Sequence, residues 1–253
     1  MRVLVATAVL VERDAVAAAF APSPTREYAI PGATLNRVVP AEGSPLVFDL
    51  LAAGVGPAAA AAATAAALTA AALNEQTDER TDERTSGPYD LVVSAGIGGG
   101  FQPEAPVGSL VLADQITAAD LGAETADGFV PVTELGFGAV THRPPESLVR
   151  AVAAVTGART GAVLTVNTVT GSADRAAELR RRHPRALAEA MEGFGVAEAA
   201  SAHGVPVLEL RAVSNPVGPR DRAAWRIGDA LAALTGAFGK LAPALESWNP
   251  HDR

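Results

Sequence analysis

The segment from Met191 to Asn215 constrains the fold more than any other part of the sequence. Glu192 precedes an alanine- and glycine-rich stretch with helical spacing, and after a short turn an apolar run extends from Val205 to Val213. This pattern predicts a helix, a Gly-Val-Pro turn and a buried strand that ends in Ser214 and Asn215. In open α/β sheets, ligands bind just beyond the carboxyl ends of the strands. We therefore expect Glu192 and Asn215 to reach into one crevice.

The same alternation of strands and helices continues along the rest of the chain. The predicted strands cover residues 2–10, 46–53, 89–95, 107–118, 160–168, 186–190 and 205–213. The other predicted helices cover residues 11–20, 57–73, 144–155, 173–182 and 222–245, and Asp221 caps the last of them. This order predicts a mainly parallel or mixed sheet covered by helices on both faces. No second core is indicated, so we predict one α/β domain over residues 1–253.

Several segments fall outside this alternation. Residues 21–45 are rich in Pro and Gly and predict a loop with one or two weak strands, and residues 119–140 predict a further excursion. Residues 74–88 are polar and contain the repeat TDER-TDER, which is typical of a mobile, solvated loop. Residues 246–253 are expected to form a loosely held tail.

Composition narrows the range of partners. A net charge of −8 argues against general binding to nucleic acid, because nothing would neutralise the phosphates. Met1 to Val11 has the β-branched spacing of a buried strand, and Pro57 to Leu73 is too short and too rich in alanine to span a membrane. The absence of cysteine excludes disulfides and thiolate metal sites and fits a cytoplasmic protein. We therefore expect no membrane, nucleic acid, metal or cofactor among its partners.

Glu12 lies just after the first predicted strand and within the first turn of a predicted helix. An acidic residue there interacts favourably with the helix dipole. The same position also places a carboxylate at the carboxyl edge of the sheet, facing the crevice. Both interpretations stay open from position alone.

Four glycines occur among the five residues from Gly96 to Gly100, directly after the strand that ends at Ala95. Glycines let the backbone approach a ligand closely, so we predict a loop that lines the site. A tight turn without function is the alternative. The spacing G-x-G-x-x-G and the phosphate-binding P-loop are both absent, which argues against a nucleotide cofactor.

Taken together, these separated motifs resemble the nucleoside phosphorylase-like superfamily, in the branch that contains methylthioadenosine/S-adenosylhomocysteine nucleosidase. The matching pieces follow the order of that family along nearly the whole chain: Glu12, Gly54-Val55-Gly56, Gly96–Gly100, Pro106–Val111, Met191-Glu192-Gly193 and Ser214-Asn215. The resemblance implies a single-domain α/β/α sandwich with a mixed central sheet. It also implies an N-glycosyl hydrolase that acts on a small nucleoside and assembles as a homodimer or larger homo-oligomer.

The resemblance assigns roles around the sugar. Glu12 would take a proton from the attacking water, and Glu192 would accept hydrogen bonds from the ribose hydroxyls. Met191 would pack against the sugar. The glycine segment carries no basic residue and Glu12 is acidic, so water is favoured over phosphate as the nucleophile.

Around the base, the resemblance points to Val169 and Thr170 as the segment that stacks on the purine. The aromatic residue usual in the family is replaced here by Val169, and Phe194 or Phe101 would supply the missing apolar wall. Gly96, Ile97 and Gly98 of the glycine segment are predicted to contact the substrate.

Asn215 departs from the adenine-specific members, which end the same strand in Ser-Asp. The continuation N-P-V-G-P-R-D-R-x-x-W resembles the subgroup that hydrolyses futalosine in menaquinone biosynthesis. An Asn amide can donate to a 6-oxo group and accept from a protonated N7, which describes hypoxanthine. A strand-end turn former is the structural alternative for Asn215.

Three other functions stay open from the sequence. One is a nucleosidase that releases adenine from methylthioadenosine, S-adenosylhomocysteine or aminodeoxyfutalosine. Another is a purine nucleoside phosphorylase, which would need phosphate for turnover. The third is a nucleoside-binding protein without catalysis, against which the presence of both Glu12 and Glu192 argues.

Overall fold

The computed structural model describes residues 1–75 and 87–248 of the 253-residue chain. Its strands are β1 (Arg2–Thr7), β2 (Thr25–Ile30), β3 (Ala33–Val38), β4 (Val47–Ala52), β5 (Leu91–Gly100), β6 (Leu110–Ala118), β7 (Gly122–Thr125), β8 (Gly128–Pro131), β9 (Thr141–His142), β10 (Arg159–Thr165), β11 (Ala186–Ala190) and β12 (Val207–Pro216). Its helices are α1 (Leu10–Ala18), α2 (Pro57–Glu75), α3 (Glu146–Thr156), α4 (Ala173–Arg182), α5 (Gly193–Ala202) and α6 (Ile227–Ser247).

The central sheet is mixed and partly closed on itself. Its strands lie in the order β11-β10-β6-β12-β5-β1-β4-β3-β2, and β9 pairs with β6. Strand β1 is parallel to β4 and β5, and β12 is parallel to β5 but antiparallel to β6. A further antiparallel pairing joins β11 to β5, so the five strands from β5 to β11 form a barrel-like end.

Helices cover both faces of this sheet. On one face α1, α3 and α6 bury Val16, Leu148 and Phe238 in one apolar core, and on the other face α2 and α5 bury Leu68 and Val196 in a second. The predicted fold class, an α/β domain with a mixed sheet between helical layers, is confirmed. None of the helices in the described ranges is long and apolar enough to cross a membrane.

Several predicted boundaries are wrong. Strand β1 ends at Thr7 and the helix begins at Leu10, where the strand was expected to continue. The region predicted as an irregular excursion contains the hairpin of β7 and β8. Helix α2 continues to Glu75, two residues into the predicted loop, while residues 76–86 with the TDER repeat lie outside the described residues.

The end of the chain also differs from its prediction. Asp221 caps a short 3₁₀ turn by accepting a hydrogen bond from the Ala223 N–H, and the long helix begins only at Ile227. The helix then runs to Ser247, and Trp248 is buried with its indole N–H donating to Ser147. The loosely held tail therefore cannot begin at residue 246, because this packing holds residues 246–248. Residues 249–253 lie outside the described residues.

A buried ionic cluster joins the strands at the edge opposite their carboxyl ends. Asp49 on β4 is fully buried and accepts hydrogen bonds from Arg2, Arg37 and the Tyr89 hydroxyl, with nitrogen–oxygen distances of 2.7–3.0 Å to the two arginines. Burial alone would raise the pKa of Asp49, but the hydrogen bonds from Arg37 and the charge of Arg2 hold it below its usual value. One carboxylate is thus shared by two cations and joins β1, β3 and β4.

Replacing Asp49 by Ala should lower the free energy of unfolding by about 3–5 kcal/mol, because it leaves two largely buried arginines without a counter-charge. Urea denaturation at neutral pH measures the change. Asp14→Ala is the matched control, since Asp14 is exposed and pairs only with its neighbour Arg13, and its effect should stay below about 1 kcal/mol. Equal effects of the two substitutions would show that the cluster does not stabilise the sheet.

Candidate functional site

The carboxyl ends of the parallel strands β1, β4, β5 and β12 meet at one edge of the sheet. Two predicted site residues, Glu12 and Glu192, lie at this edge and are 4% and 6% exposed. The chain leaving β11 reaches the same place from the opposite direction, because β11 pairs antiparallel with β5 in the register Glu189 to Gly99. Five separate parts of the sequence therefore meet at this edge.

Glu12 lies in the first turn of α1 and faces the next strand. Its Oε2 accepts hydrogen bonds from the Ala8 and Val9 N–H groups at 3.0 and 3.3 Å, and its Oε1 accepts one from the Ile97 N–H of β5 at 2.9 Å. Burial raises the pKa of Glu12 above its usual value, although the hydrogen bond from Ile97 and the charge of Arg211 oppose this. The carboxylate thus both caps the start of its helix and faces the sheet edge.

Glu192 lies immediately before α5 and connects it to the turn after β4. Its Oε1 accepts a hydrogen bond from the Gly56 N–H at 3.2 Å, and its Oε2 accepts one from the Met191 N–H at 3.3 Å. The same Oε2 lies 3.4 Å from Nη1 of Arg211. Met191 is half-buried and lies next to the site, because its backbone N–H donates to the Glu192 carboxylate.

Arg211 on β12 is the site residue that the sequence analysis missed. It is 1% exposed; its Nε donates to Glu209 Oε1 at 2.9 Å and its Nη2 donates to Ser94 Oγ at 2.9 Å. Although burial alone would lower the pKa of Arg211, the carboxylates of Glu209, Glu192 and Glu12 raise it above its usual value. The sequence Glu209-Leu210-Arg211 could have indicated it, because two charged residues two positions apart lie on the same face of an otherwise apolar strand.

The glycine segment is part of a strand, so the predicted loop or turn is wrong. Residues 96–100 form the second half of β5. A Cβ on Gly96 would lie 2.7 Å from both Glu12 Oε1 and Arg211 Nη1, and one on Gly98 would lie 2.8 Å from the Glu189 carbonyl oxygen. The glycines are needed because charged side chains and a neighbouring strand lie against this part of β5. Gly96 and Ile97 therefore lie against Glu12, whereas Gly98 faces β11.

Asn215 lies at the end of β12, next to Gly99 of β5. Its Oδ1 accepts a hydrogen bond from Ser214 Oγ at 2.8 Å, and its Nδ2 donates to the Pro216 carbonyl at 3.0 Å. In the described part of the chain no hydrogen bond joins Asn215 to Glu12 or Glu192. The register pairs Arg211 with Gly96 and Asn215 with Gly99, so the backbone of Asn215 lies three β5 residues beyond that of Arg211. At ~3.3 Å per residue this separation is about 10 Å.

Thr170 is held by a second buried carboxyl group. Its N–H donates to Glu189 Oε1 at 2.8 Å, and its hydroxyl donates to Glu189 Oε2. Burial raises the pKa of Glu189, although the two hydrogen bonds from Thr170 oppose this. Since Glu189 pairs with Gly99, this contact places the buried Thr170 and its half-buried neighbour Val169 near the same part of β5 as Asn215.

The two phenylalanines proposed for the apolar wall lie in different surroundings. Phe101 is 2% exposed and packs in the small core cluster with Leu164 and Leu179 of β10 and α4. Phe194 is buried at the start of α5, where its N–H donates to Thr165 Oγ1 and its ring lies 5.2 Å from that of His142. The structure thus makes Phe101 a core residue and leaves Phe194 adjoining the site only through Gly193 and Glu192.

The arrangement offers buried carboxylates beside one cation. No group of three or more His, Asp or Glu side chains in the described ranges could hold a metal ion. A carboxylate with a raised pKa is a stronger base and accepts a proton from water more readily. The site is therefore suited to proton transfer and to stabilising positive charge that develops nearby.

Comparison with known proteins identifies the family of the chain. The sequence profile of the phosphorylase superfamily matches residues 38–244. Futalosine hydrolase of Streptomyces coelicolor is 74% identical over 253 residues, which covers all of both chains.

Solved structures with less than 20% sequence identity share the fold. Futalosine hydrolase of Helicobacter pylori strain 26695 aligns with a TM-score of 0.77 and 17% identity, over 96% of this chain and 97% of that one. The 5′-methylthioadenosine/S-adenosylhomocysteine nucleosidase of Neisseria meningitidis, solved with methylthio-immucillin-A, aligns with a TM-score of 0.73 and 18% identity, over 98% and 99% of the two chains.

Proposed function

The chain belongs to the futalosine hydrolases of the phosphorylase superfamily, and we propose that it cleaves the N-ribosidic bond of futalosine with water. The products are hypoxanthine and dehypoxanthine futalosine, and the reaction belongs to the futalosine route of menaquinone biosynthesis. The observation that carries this proposal is the convergence of Glu12 and Glu192 on Arg211 at the carboxyl edge of the sheet. Two separate carboxylates are what hydrolysis of a nucleoside requires, one for the water and one for the sugar.

Glu12 is the general base. As the bond to the purine breaks, positive charge develops on the ribose, and water attacks the anomeric carbon and loses a proton to Glu12. The purine leaves with the bonding electrons and takes a proton at N7 from solvent, since an Asn amide cannot supply one. Burial raises the pKa of Glu12, which strengthens it as a proton acceptor near neutral pH. Since a base must be ionised to act, activity should fall as the pH drops through the pKa of Glu12.

Glu192 binds the ribose. A carboxylate accepts hydrogen bonds from vicinal hydroxyls and also stabilises nearby oxocarbenium character. Its position is set by the Gly56 and Met191 N–H groups and by Arg211. Met191, half-buried beside it, provides an apolar contact for the sugar.

Asn215 recognises the base. Its backbone lies about 10 Å along β5 from that of Arg211, which faces the carboxylates, a separation comparable to the length of a nucleoside. An amide N–H can donate to O6 of hypoxanthine, and the amide oxygen can accept from a protonated N7. Val169 and Thr170, held by Glu189 near Gly99, stack against the same base.

Water is the nucleophile, although a cation does lie beside Gly96. Arg211 donates to Glu209, faces Glu192 and has Glu12 near it, so its charge is already neutralised by carboxylates. A phosphate dianion placed there would meet more negative charge than positive. This arrangement supports hydrolysis over phosphorolysis.

The protein acts in the cytoplasm as a homodimer or larger homo-oligomer. The absence of cysteine accords with a reducing compartment. Near the site, Leu10, Val11 and Val55 are more than half exposed. A second copy covering these apolar side chains would remove them from water.

The proposed function predicts hypoxanthine release from futalosine in buffer without phosphate. Chromatography of the free base measures the turnover, with inosine and 6-amino analogues compared at equal concentration. Faster release of adenine than of hypoxanthine would instead identify an adenine nucleosidase, and turnover that depends on added phosphate would identify a phosphorylase. Binding without turnover would remove the enzymatic assignment altogether.

Glu12→Gln should leave a folded protein that binds futalosine but hydrolyses it at least ~100-fold more slowly, the scale of one lost general base. The loss of the acidic limb in the pH profile of kcat should accompany it, because the titrating base is gone. Asp14→Asn is the matched control, since Asp14 lies on the same helix but is exposed, and it should retain normal turnover. Near-normal turnover by Glu12→Gln would show that Glu12 only caps the start of its helix.

Asn215→Asp changes only the group that faces the base, and the two side chains are nearly isosteric. It removes the donor to O6, and at neutral pH it places a carboxylate beside that oxygen. Hypoxanthine release should fall by ~100-fold or more, the scale of mispaired polar groups in a binding site. Adenine release should rise relative to it, more strongly at low pH, where a protonated Asp can donate to N7. An unchanged preference between the two bases would refute the assignment of Asn215.

A further inference from the structure

Glu209 is a carboxyl group in the middle of the molecule for which the proposed reaction has no use. It lies on β12, is fully buried, and shares one face of the strand with Arg211 two residues later. Removing a charge from water costs several kcal/mol unless it is paired and hydrogen-bonded. A glutamate at this buried position of an otherwise apolar strand therefore requires a partner that offsets this cost.

Arg211 is that partner. Its Nε donates to Glu209 and its Nη2 donates to Ser94, each at 2.9 Å. A guanidinium group is planar and rigid, so two held nitrogens determine where the third one points. The third nitrogen, Nη1, lies 3.4 Å from Glu192 Oε2.

The same nitrogen is also close to Glu12. A Cβ on Gly96 would lie 2.7 Å from Arg211 Nη1 and 2.7 Å from Glu12 Oε1, so both atoms border the same small space. Nη1 makes no hydrogen bond of its own among the described residues. It therefore faces both working carboxylates without being bound tightly to either.

Gly193 provides an independent indication that this carboxyl group is built into the site. Gly193 directly follows Glu192, and a Cβ on it would overlap both carboxyl oxygens and the carboxyl carbon of Glu209. Its φ is not in the left-handed region, so its backbone conformation does not demand glycine. Glycine is needed at this position because Glu209 occupies the space that a Cβ would fill.

We propose that Glu209 is a positioning residue, which acts through Arg211 to hold the cation between Glu12 and Glu192, and that residue 193 is glycine to accommodate it. This inference rests on the proposed function only for the roles of the two carboxylates. Without Glu209 the guanidinium would be free to turn and pair directly with Glu12, which would make that carboxylate a poorer base.

Comparing Glu209→Leu with Glu209→Gln tests this role. Leu removes the acceptor for the Arg211 Nε–H, whereas Gln keeps an oxygen in its place. Glu209→Leu should lower kcat for hypoxanthine release by about 100-fold, the scale of a misplaced reacting group, with a smaller change in KM. Glu209→Gln should recover most of this loss. Normal kcat in Glu209→Leu, or no recovery in Glu209→Gln, would overturn the inference.

A readout that needs no substrate separates this inference from the proposed function. The Nε–H of Arg211 should give a slowly exchanging ¹⁵N–¹H signal in the ligand-free protein, identified by its absence from Arg211→Lys. The signal should persist in Glu209→Gln and lose its protection in Glu209→Leu. An unchanged signal in Glu209→Leu would overturn the inference even if futalosine is cleaved. Conversely, if the wild-type protein does not cleave futalosine and the signal is still lost in Glu209→Leu, only the proposed function is refuted.

A double substitution tests the pairing of Gly193 with Glu209. Gly193→Ala alone should lower both the melting temperature and kcat, because its Cβ displaces the carboxylate. Adding Glu209→Ala should restore the melting temperature toward that of Glu209→Ala alone while kcat stays low. If Gly193→Ala is as stable and active as the wild type, Glu209 is not held in the proposed place.

Discussion

The candidate site depends on the burial of one arginine among three carboxyl groups. Glu12, Glu192 and Glu209 are each less than 7% exposed, and each would destabilise the fold if it were left alone. Arg211 is located where it interacts with all of them, because its own strand lies in the centre of the sheet. Burial raises the pKa of Glu12 and Glu209, and the charge of Arg211 opposes this rise at both groups.

Strand pairing explains why residues so distant in sequence meet at this arginine. Strand β5 is parallel to β1 and β12, so the chain following β1 brings Glu12 to the same level as Gly96 and Arg211. Strand β11 closes the barrel-like end in the opposite direction and delivers Glu192. Because three strands converge on β5, its last residues can have no side chain at Gly96, Gly98 or Gly100 without overlap.

Local patterns were sufficient to predict most of the architecture and part of the site. Hydrophobic spacing predicted the alternation of strands and helices, and the polar residues at strand ends indicated the carboxyl edge. The glycines of β5 were interpreted as a loop because their cause, contact with Glu12, Arg211 and Glu189, is non-local. Arg211 was missed because it lies in an apolar run and its contacts with Ser94 and Glu192 are made outside its own strand.

Two buried ionic clusters in the same sheet show what decides between a structural and a reactive carboxylate. At the amino end Asp49 is shared by Arg2 and Arg37, and the excess of cations holds its pKa below the usual value. At the carboxyl end Arg211 is shared by three carboxyl groups, and burial raises the pKa of Glu12 and Glu209. Both clusters are buried to a similar extent, so burial alone does not separate them. The ratio of cations to carboxylates does, because only where carboxylates are in excess can one of them accept a proton at moderate pH.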